Sequence, residues 1–126
     1  MLKEEMEMRI AICDDEKIAL EQTCNIVKDV FDEMHLKYFI DVYMDANELL
    51  QNKDQYDIVF LDPPFRMKVI DELCIFLMEN DMIAIGGYIV CEYPKEDIVQ
   101  KDYDGYRIKL CRRYASSEIL ILEREN

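Results

Sequence analysis

Residues 56–62 read Tyr-Asp-Ile-Val-Phe-Leu-Asp, and this stretch decides the fold. Its centre, Ile58–Leu61, is apolar at every position, which is typical of a central parallel strand covered on both faces. Asp62 ends the strand, and Pro63-Pro64 cannot continue it because proline has no N–H for a ladder. The stretch therefore predicts a buried strand with a carboxylate at its carboxyl end.

Strand and helix patterns alternate on both sides of this stretch. Before it lie a strand at Arg9–Cys13, an amphipathic helix from Glu16 to about Met34, a strand at Tyr38–Tyr43 and a short helix at Ala46–Leu50 that Asp45 can cap. After it lie a helix from about Lys68 to Glu79, a Gly86-Gly87 turn, a strand at Tyr88–Tyr93 and a hairpin of Tyr106–Tyr114 with Glu118–Glu123. This order predicts an α/β fold with one doubly wound, mostly parallel sheet, flavodoxin-like or Rossmann-like, in which the hairpin contributes one antiparallel strand.

Composition and charge narrow the classes of protein. The chain has 126 residues, 51% hydrophobic and 34% charged, and no apolar run approaches the ~20 residues that span a membrane. Its acidic start has no apolar signal segment, so we expect a cytoplasmic protein. The net charge of −13 opposes nucleic-acid phosphates, so we expect no nucleic-acid partner. The five scattered cysteines favour packing over disulfide or zinc roles, and the single histidine, His35, leaves no base for a Ser-His-Asp triad.

Three aspartates are expected to converge at one edge of the sheet. Asp14 and Asp15 follow the first strand and Asp62 ends the third, and parallel strands place their carboxyl ends together. Three carboxylates so close repel one another, and a hard cation such as Mg²⁺ would relieve that repulsion. The alternative is that Asp14 and Asp15 only cap the following helix.

Residues 8–62 resemble the receiver domain of bacterial response regulators, particularly those with LytTR-type DNA-binding domains. The motifs are Met-Arg-Ile-Ala-Ile-Cys-Asp-Asp-Glu at 8–16 and the stretch 56–62. The resemblance implies that Asp14 and Asp15 hold Mg²⁺, that Asp62 accepts a phosphoryl group, and that a histidine kinase or a small phosphoryl donor is the partner. The family's Ser or Thr on strand four, its Lys-Pro pair and its output surface are missing, so signalling would lack an intact output.

Residues 56–125 resemble the carboxyl-terminal half of the methyltransferases that modify guanine N2 in small-subunit ribosomal RNA. The motifs are Asp62-Pro63-Pro64-Phe65 and Gly-Gly-Tyr-Ile-Val-Cys-Glu at 86–92. The resemblance implies that the Asp-Pro-Pro-Phe motif holds the target base against the methyl donor. Because the turn after the first strand carries Cys13-Asp14-Asp15-Glu16 and no glycine, we expect S-adenosylmethionine binding to be absent and the motif to be a structural inheritance.

The two resemblances together predict a hybrid. Both families are doubly wound sheets that share the strand 56–62, and their topologies combine to a strand order of 2-1-3-4-6-5 with strand six antiparallel. We therefore expect a single domain over residues 1–126, receiver-like over 8–62 and methyltransferase-like over 63–126. The leading hypothesis is a receiver-like domain that binds Mg²⁺ and accepts a phosphoryl group on Asp62, without an intact output and without enzyme activity. The alternatives are an inactive chimeric scaffold and a methyltransferase fragment that lacks its cofactor loop. Exposed sheet edges or apolar surface could also drive formation of a homodimer.

Overall fold

The computed structural model describes residues 7–52, 54–62 and 70–126. Within them the chain order is β1 (Glu7–Asp14), α1 (Lys17–Glu33), β2 (Lys37–Tyr43), α2 (Ala46–Gln51), β3 (Tyr56–Asp62), α3 (Ile70–Glu79), β4 (Ile83–Pro94), β5 (Tyr106–Tyr114) and β6 (Ser117–Arg124). No helix in this part of the chain is long and apolar enough to cross a membrane. Residues 68 and 69 of the predicted third helix lie outside the described residues.

The six strands form one sheet in the order β2-β1-β3-β4-β6-β5, which confirms the predicted order. β1 pairs in parallel with both β2 and β3, and β3 pairs in parallel with β4. β6 runs antiparallel to β4 and β5 because the link between β5 and β6 is too short for a crossover. The fold is therefore the predicted α/β class, with its site-forming carboxyl ends at the ends of β1 and β3.

The sheet has two apolar faces with separate cores. We call them the α3 face and the α1 face, after the helix that covers each. The α3 face carries the larger core, which packs Val59, Ile89 and Leu120 against α2 and α3. The α1 face carries a smaller core around Ile10, Ile12 and the inner side of α1. Each strand side chain belongs to one face by the two-residue alternation of a strand.

Of two local predictions, one is confirmed and the other is wrong. Asp45 caps α2 as predicted, since its carboxylate accepts a hydrogen bond from the Asn47 N–H at 2.9 Å. The predicted Gly86-Gly87 turn is wrong: β4 begins at Ile83 and runs through both glycines. A Cβ on Gly87 would lie 2.7 Å from the Asp57 carbonyl oxygen, so glycine is needed where the β3–β4 register shifts.

The polar segment between β4 and β5 is a loop that is anchored to the core. Its side chains Val99 and Tyr103 are buried in the core of the α3 face. The Gln100 N–H also donates to the Asp71 carboxylate of α3 at 2.9 Å. The loop thus covers part of the α3 face beside α3 and does not pack on the α1 face.

Candidate functional site

The candidate site lies at the carboxyl edge of the sheet, where β1 and β3 end side by side. Asp14 and Asp62 are direct partners in the β1–β3 register, and both side chains point to the α1 face. Asp14 is buried and Asp62 is half-buried. The Asp14 carboxylate also accepts a hydrogen bond from the Glu16 N–H at 2.9 Å, which closes the turn into α1. This hydrogen bond agrees in part with the alternative prediction that Asp14 and Asp15 only cap α1. The N-cap residue of α1, however, is Glu16.

A cavity of about 190 Å³ opens beside these two carboxylates on the α1 face. Its polar lining is acidic, from Asp14, Asp62 and Glu92, together with Thr23 from α1. Its remaining walls come from four strands: the apolar side chains of Ile12, Phe60, Val90 and Ile119, together with Cys13 and Leu61, whose side chains belong to the core of the α3 face. The cavity therefore suits a ligand with a cationic group and an apolar body.

The electrostatics of the site show an excess of negative charge. Burial, and then the charges of Asp14 and Glu92, raise the pKa of Asp62 to about 7. Burial also raises the pKa of Asp14, although the hydrogen bonds from the Glu16 N–H and with Asp62 oppose this. Near neutral pH the pair therefore holds a proton for part of the time, in the hydrogen bond that joins the two carboxyl groups.

The neighbouring thiol takes no part in this chemistry. Burial and the nearby carboxylates raise the pKa of Cys13 to about 12. A thiol with so high a pKa is protonated at neutral pH and is neither a nucleophile nor a metal ligand. This agrees with the interpretation of Cys13 as a packing residue.

The predicted site residues are brought together only in part. Asp14 and Asp62 meet, whereas Asp15 is exposed and does not line the cavity. Pro63, Pro64 and Phe65 lie outside the described residues. Among the residues that the structure describes, no three acidic, thiol or imidazole side chains are arranged to hold a metal ion, so the predicted Mg²⁺ site finds no support.

Glu92 and Thr23 are site residues that the sequence interpretation missed. Glu92 continues the alternation of Tyr88 and Val90 along β4, which places it on the α1 face beside Asp62. That alternation is visible in the sequence, but its meaning depends on knowing which face the site occupies. Thr23 carries no comparable signal, because a threonine in the middle of an amphipathic helix has many structural explanations.

The fold and the site together define a doubly wound α/β protein with its site at the carboxyl ends of neighbouring parallel strands. The chain belongs to the family described as conserved hypothetical protein 95, whose model matches residues 9–123.

A curated relative is an uncharacterized methylase from Rickettsia prowazekii, 31% identical over 70 residues. The match covers 53% of this chain and 28% of the relative, so the chain spans little more than a quarter of that protein.

Solved structures share the fold at low sequence identity. A conserved hypothetical protein from Streptococcus pyogenes superposes with a TM-score of 0.68 at 18% identity, over 94% of this chain and 87% of that one. An Escherichia coli protein provisionally assigned as a methyltransferase gives 0.66 at 18% identity, over 94% and 76%. A Haemophilus influenzae protein provisionally assigned as a methylase gives 0.61 at 16% identity, over 94% and 74%.

These comparisons correct the leading hypothesis. The receiver interpretation of residues 8–62 is wrong, because the family match begins at residue 9 and runs through both supposed halves. The methyltransferase resemblance is supported at the level of the family. A histidine kinase or phosphoryl donor as partner loses its basis, and with it the expected Mg²⁺ cofactor. The division of the chain into two halves and the roles of single site residues stay predictions.

Three expected absences are also corrected. Relatives named as methylases and methyltransferases contradict the expectation that the chain is not an enzyme. The same family membership contradicts the expected absence of S-adenosylmethionine binding and of a nucleic-acid partner.

Proposed function

We propose that this chain is a methyltransferase domain that uses S-adenosylmethionine to methylate an amino group of a nucleic-acid base. The observation that carries the proposal is the position of Asp62, which opens the Asp-Pro-Pro-Phe sequence and faces an acidic cavity at the carboxyl edge of β1 and β3. In doubly wound folds this edge is where ligands bind. The names of the relatives, methylases and a methyltransferase, support the reaction class, and the Asp-Pro-Pro-Phe motif supports a base amine as the acceptor.

The chemistry of the cavity fits the cofactor. S-Adenosylmethionine carries a sulfonium and an ammonium group, and it supplies an activated methyl group when bound. The carboxylates of Asp14, Asp62 and Glu92 would hold its cationic part, and the apolar walls around Val90 and Ile119 would receive its uncharged part. Because these carboxylates repel one another, a bound cation stabilises all of them in the charged form.

Asp62 is the residue that would contact the acceptor amine. A carboxylate can accept a hydrogen bond from an exocyclic N–H and so orient the amine's lone pair toward the methyl donor. Because the positive charge of the bound cofactor would keep Asp62 ionised, its carboxylate can also accept the proton that the methylated amine releases. Asp14 acts as a positioning residue, because it is the direct register partner of Asp62 and its carboxyl group lines the same cavity.

Calorimetry with two cofactor forms tests the proposal. S-Adenosylhomocysteine lacks the sulfonium charge, so an acidic site should bind S-adenosylmethionine about tenfold more tightly or better. Asp62→Asn should remove most of this preference, whereas Glu21→Gln, an equal loss of charge on the exposed side of α1, should preserve it. Transfer of a labelled methyl group to ribosomal RNA should be lost in Asp62→Asn only. No saturable binding of S-adenosylmethionine at millimolar concentration would exclude the proposed cofactor.

A further inference from the structure

The α1 face is covered over only half of the sheet. Helix α1 packs on β1 and β2, and no element among the described residues packs on this face over β4, β6 and β5. The loop between β4 and β5 lies on the opposite face, with Val99 and Tyr103. An uncovered patch thus extends from β3 to β5; we call it the open patch.

The side chains of the open patch form three rows across the strands β3, β4, β6 and β5. The middle row is apolar and consists of Phe60, Val90, Ile121 and Leu110. The row nearest the carboxyl edge is Asp62, Glu92, Ile119 and Arg112. The third row is Ile58, Tyr88, Glu123 and Arg107. The patch is therefore apolar in the middle, acidic at its β3 end and basic at its β5 end.

A β-bulge at Lys109 places Leu110 at one end of the middle row. The β5–β6 register shifts between Ile108 and Leu110, so Ile108 pairs with Leu122 and Leu110 with Ile121. Leu122 belongs to the core of the α3 face, whereas Ile121 faces the open patch. The bulge thereby turns Leu110, which unbulged alternation would place with Ile108, onto the open patch.

One side of α1, which carries Thr23, lies along the border of the open patch. Thr23 lines the cavity at the edge of the patch, and helical spacing places Ile26 and Val30 on the same side as Thr23. These two side chains are 62% and 43% exposed, although they are large and aliphatic. The apolar middle row and this flank of α1 together form a groove that no element among the described residues fills.

We propose that a second copy of this chain covers the open patch, and that the two sheets pack face to face about a two-fold axis parallel to the strands and between β4 and β6. This axis places Phe60 against the partner's Leu110 and Val90 against the partner's Ile121. It also places Asp62 against the partner's Arg112, at both ends of the interface. Aligned sheets pack in this way at about 10 Å, with side chains interdigitated.

The charge pattern favours this axis over the two nearest alternatives, an axis on β4 and an axis on β6. An axis on β4 would set Glu92 against the same residue of the other copy, and an axis on β6 would do the same to Glu123. Like charges directly opposed in an interface are unfavourable. The axis between β4 and β6 avoids both contacts, and it sets Glu123, which is already paired with Arg107 of its own chain, against the partner's Tyr88. The flank of α1 then lies against the edge strand β5 of the other copy, where Ile26 and Val30 lose their exposure.

The size of the patch predicts a weak dimer. Four strands at about 4.8 Å and five residues at about 3.3 Å give a flat area of roughly 300 Å² before the flank of α1 is added. This is the size of patch that is often functional on monomers but is below the roughly 800 Å² per partner of a standard interface. We therefore expect a dissociation constant of about 10 to 100 µM.

Sedimentation equilibrium over about 5–500 µM protein, without added ligand, tests the proposal. The wild type should form a dimer, and Leu110→Asp should be monomeric. The matched control Ile108→Asp places the same charge on the same strand but on the opposite face, at a side chain that is 49% exposed, and should dimerise like the wild type.

A charge exchange tests the register. Arg112→Glu should raise the dissociation constant about tenfold or more, and Asp62→Arg combined with Arg112→Glu should restore it. Circular dichroism on each variant shows whether it is folded. A wild type that is monomeric at about 500 µM, or equal effects of Leu110→Asp and Ile108→Asp, would overturn the proposal. A double variant no tighter than Arg112→Glu would overturn the axis.

Discussion

The carboxylates on the α3 face and on the α1 face of the same sheet have opposite surroundings, and their pKa values shift in opposite directions. On the α3 face Glu118 accepts a hydrogen bond from the Tyr93 hydroxyl and lies beside Lys101 and Arg113, and these contacts, that of Tyr93 foremost, lower its pKa to about 2. On the α1 face Asp62 has carboxylates for neighbours and its pKa is raised to about 7. The α3 face is arranged for stability, and the α1 face keeps an unresolved charge where a ligand can bind.

The two faces also differ in how much of each is covered by helices. Helices α2 and α3 and the anchored loop cover the α3 face, whereas α1 covers only β1 and β2. Among the described residues, nothing packs on the α1 face over β4, β6 and β5, and by our proposals the cofactor and a second copy compete for its carboxyl edge.

The largest effect is expected from two neighbouring residues of β6. Leu120 is fully buried on the α3 face and Ile121 lies on the open patch. Leu120→Ala should lower the free energy of unfolding by about 3–5 kcal/mol, because it leaves a cavity in a packed core, and Ile121→Ala by about 1 kcal/mol. Urea denaturation at a protein concentration of about 1 µM, well below the expected dissociation constant, measures both. Equal losses would mean that the α1 face is as closed as the α3 face.

The topology follows from sequence pattern because it depends on features that are local and strong. The apolar run at Ile58–Leu61, the amphipathic period of α1 and the short link in the hairpin each exclude the alternatives. The Gly86-Gly87 turn failed as a prediction because pairing with β3 extends β4 through both glycines. Here tertiary pairing overrides the local turn preference of glycine.

The function could not be chosen from the same residues. An aspartate pair after β1 and an aspartate after β3 meet at the carboxyl edge in any doubly wound sheet, whichever family it belongs to. The receiver resemblance rested on those positions, and a family match over residues 9–123 was needed to overturn it. Glu92 was missed for a related reason, since its role depends on which face of β4 borders the site.

A smaller effect is expected from the pH dependence of Asp62. A carboxyl group whose pKa rises from 3.8 unfolded to about 7 folded stabilises the fold only while it is protonated. The free energy of unfolding of the wild type should therefore fall as pH rises from about 4 to about 7. Asp62→Asn should lack this fall and be roughly 1–2 kcal/mol more stable than the wild type at pH 8, a range that allows for screening at a half-buried site and for the proton shared with Asp14.

Thermal unfolding of both proteins between pH 4 and pH 8 measures the difference. A variant that loses cofactor binding but gains stability would separate the function of Asp62 from any structural role. Asp62→Asn that is less stable than the wild type at every pH would show that the carboxylate is a structural element of the edge.

The smallest effect links the cofactor to the dimer, and it rests on both proposals. In the proposed dimer the partner's Arg112 lies at Asp62, where the cationic part of S-adenosylmethionine would bind, so the two should compete. S-Adenosylmethionine at a concentration equal to its own dissociation constant should raise the dimer dissociation constant about fourfold, because each of the two copies must lose its ligand before they pair. S-Adenosylhomocysteine at the same concentration, without the sulfonium charge, should raise it less. Sedimentation equilibrium with each compound measures this, and a tighter dimer in S-adenosylmethionine would mean that the second copy completes the site instead of blocking it.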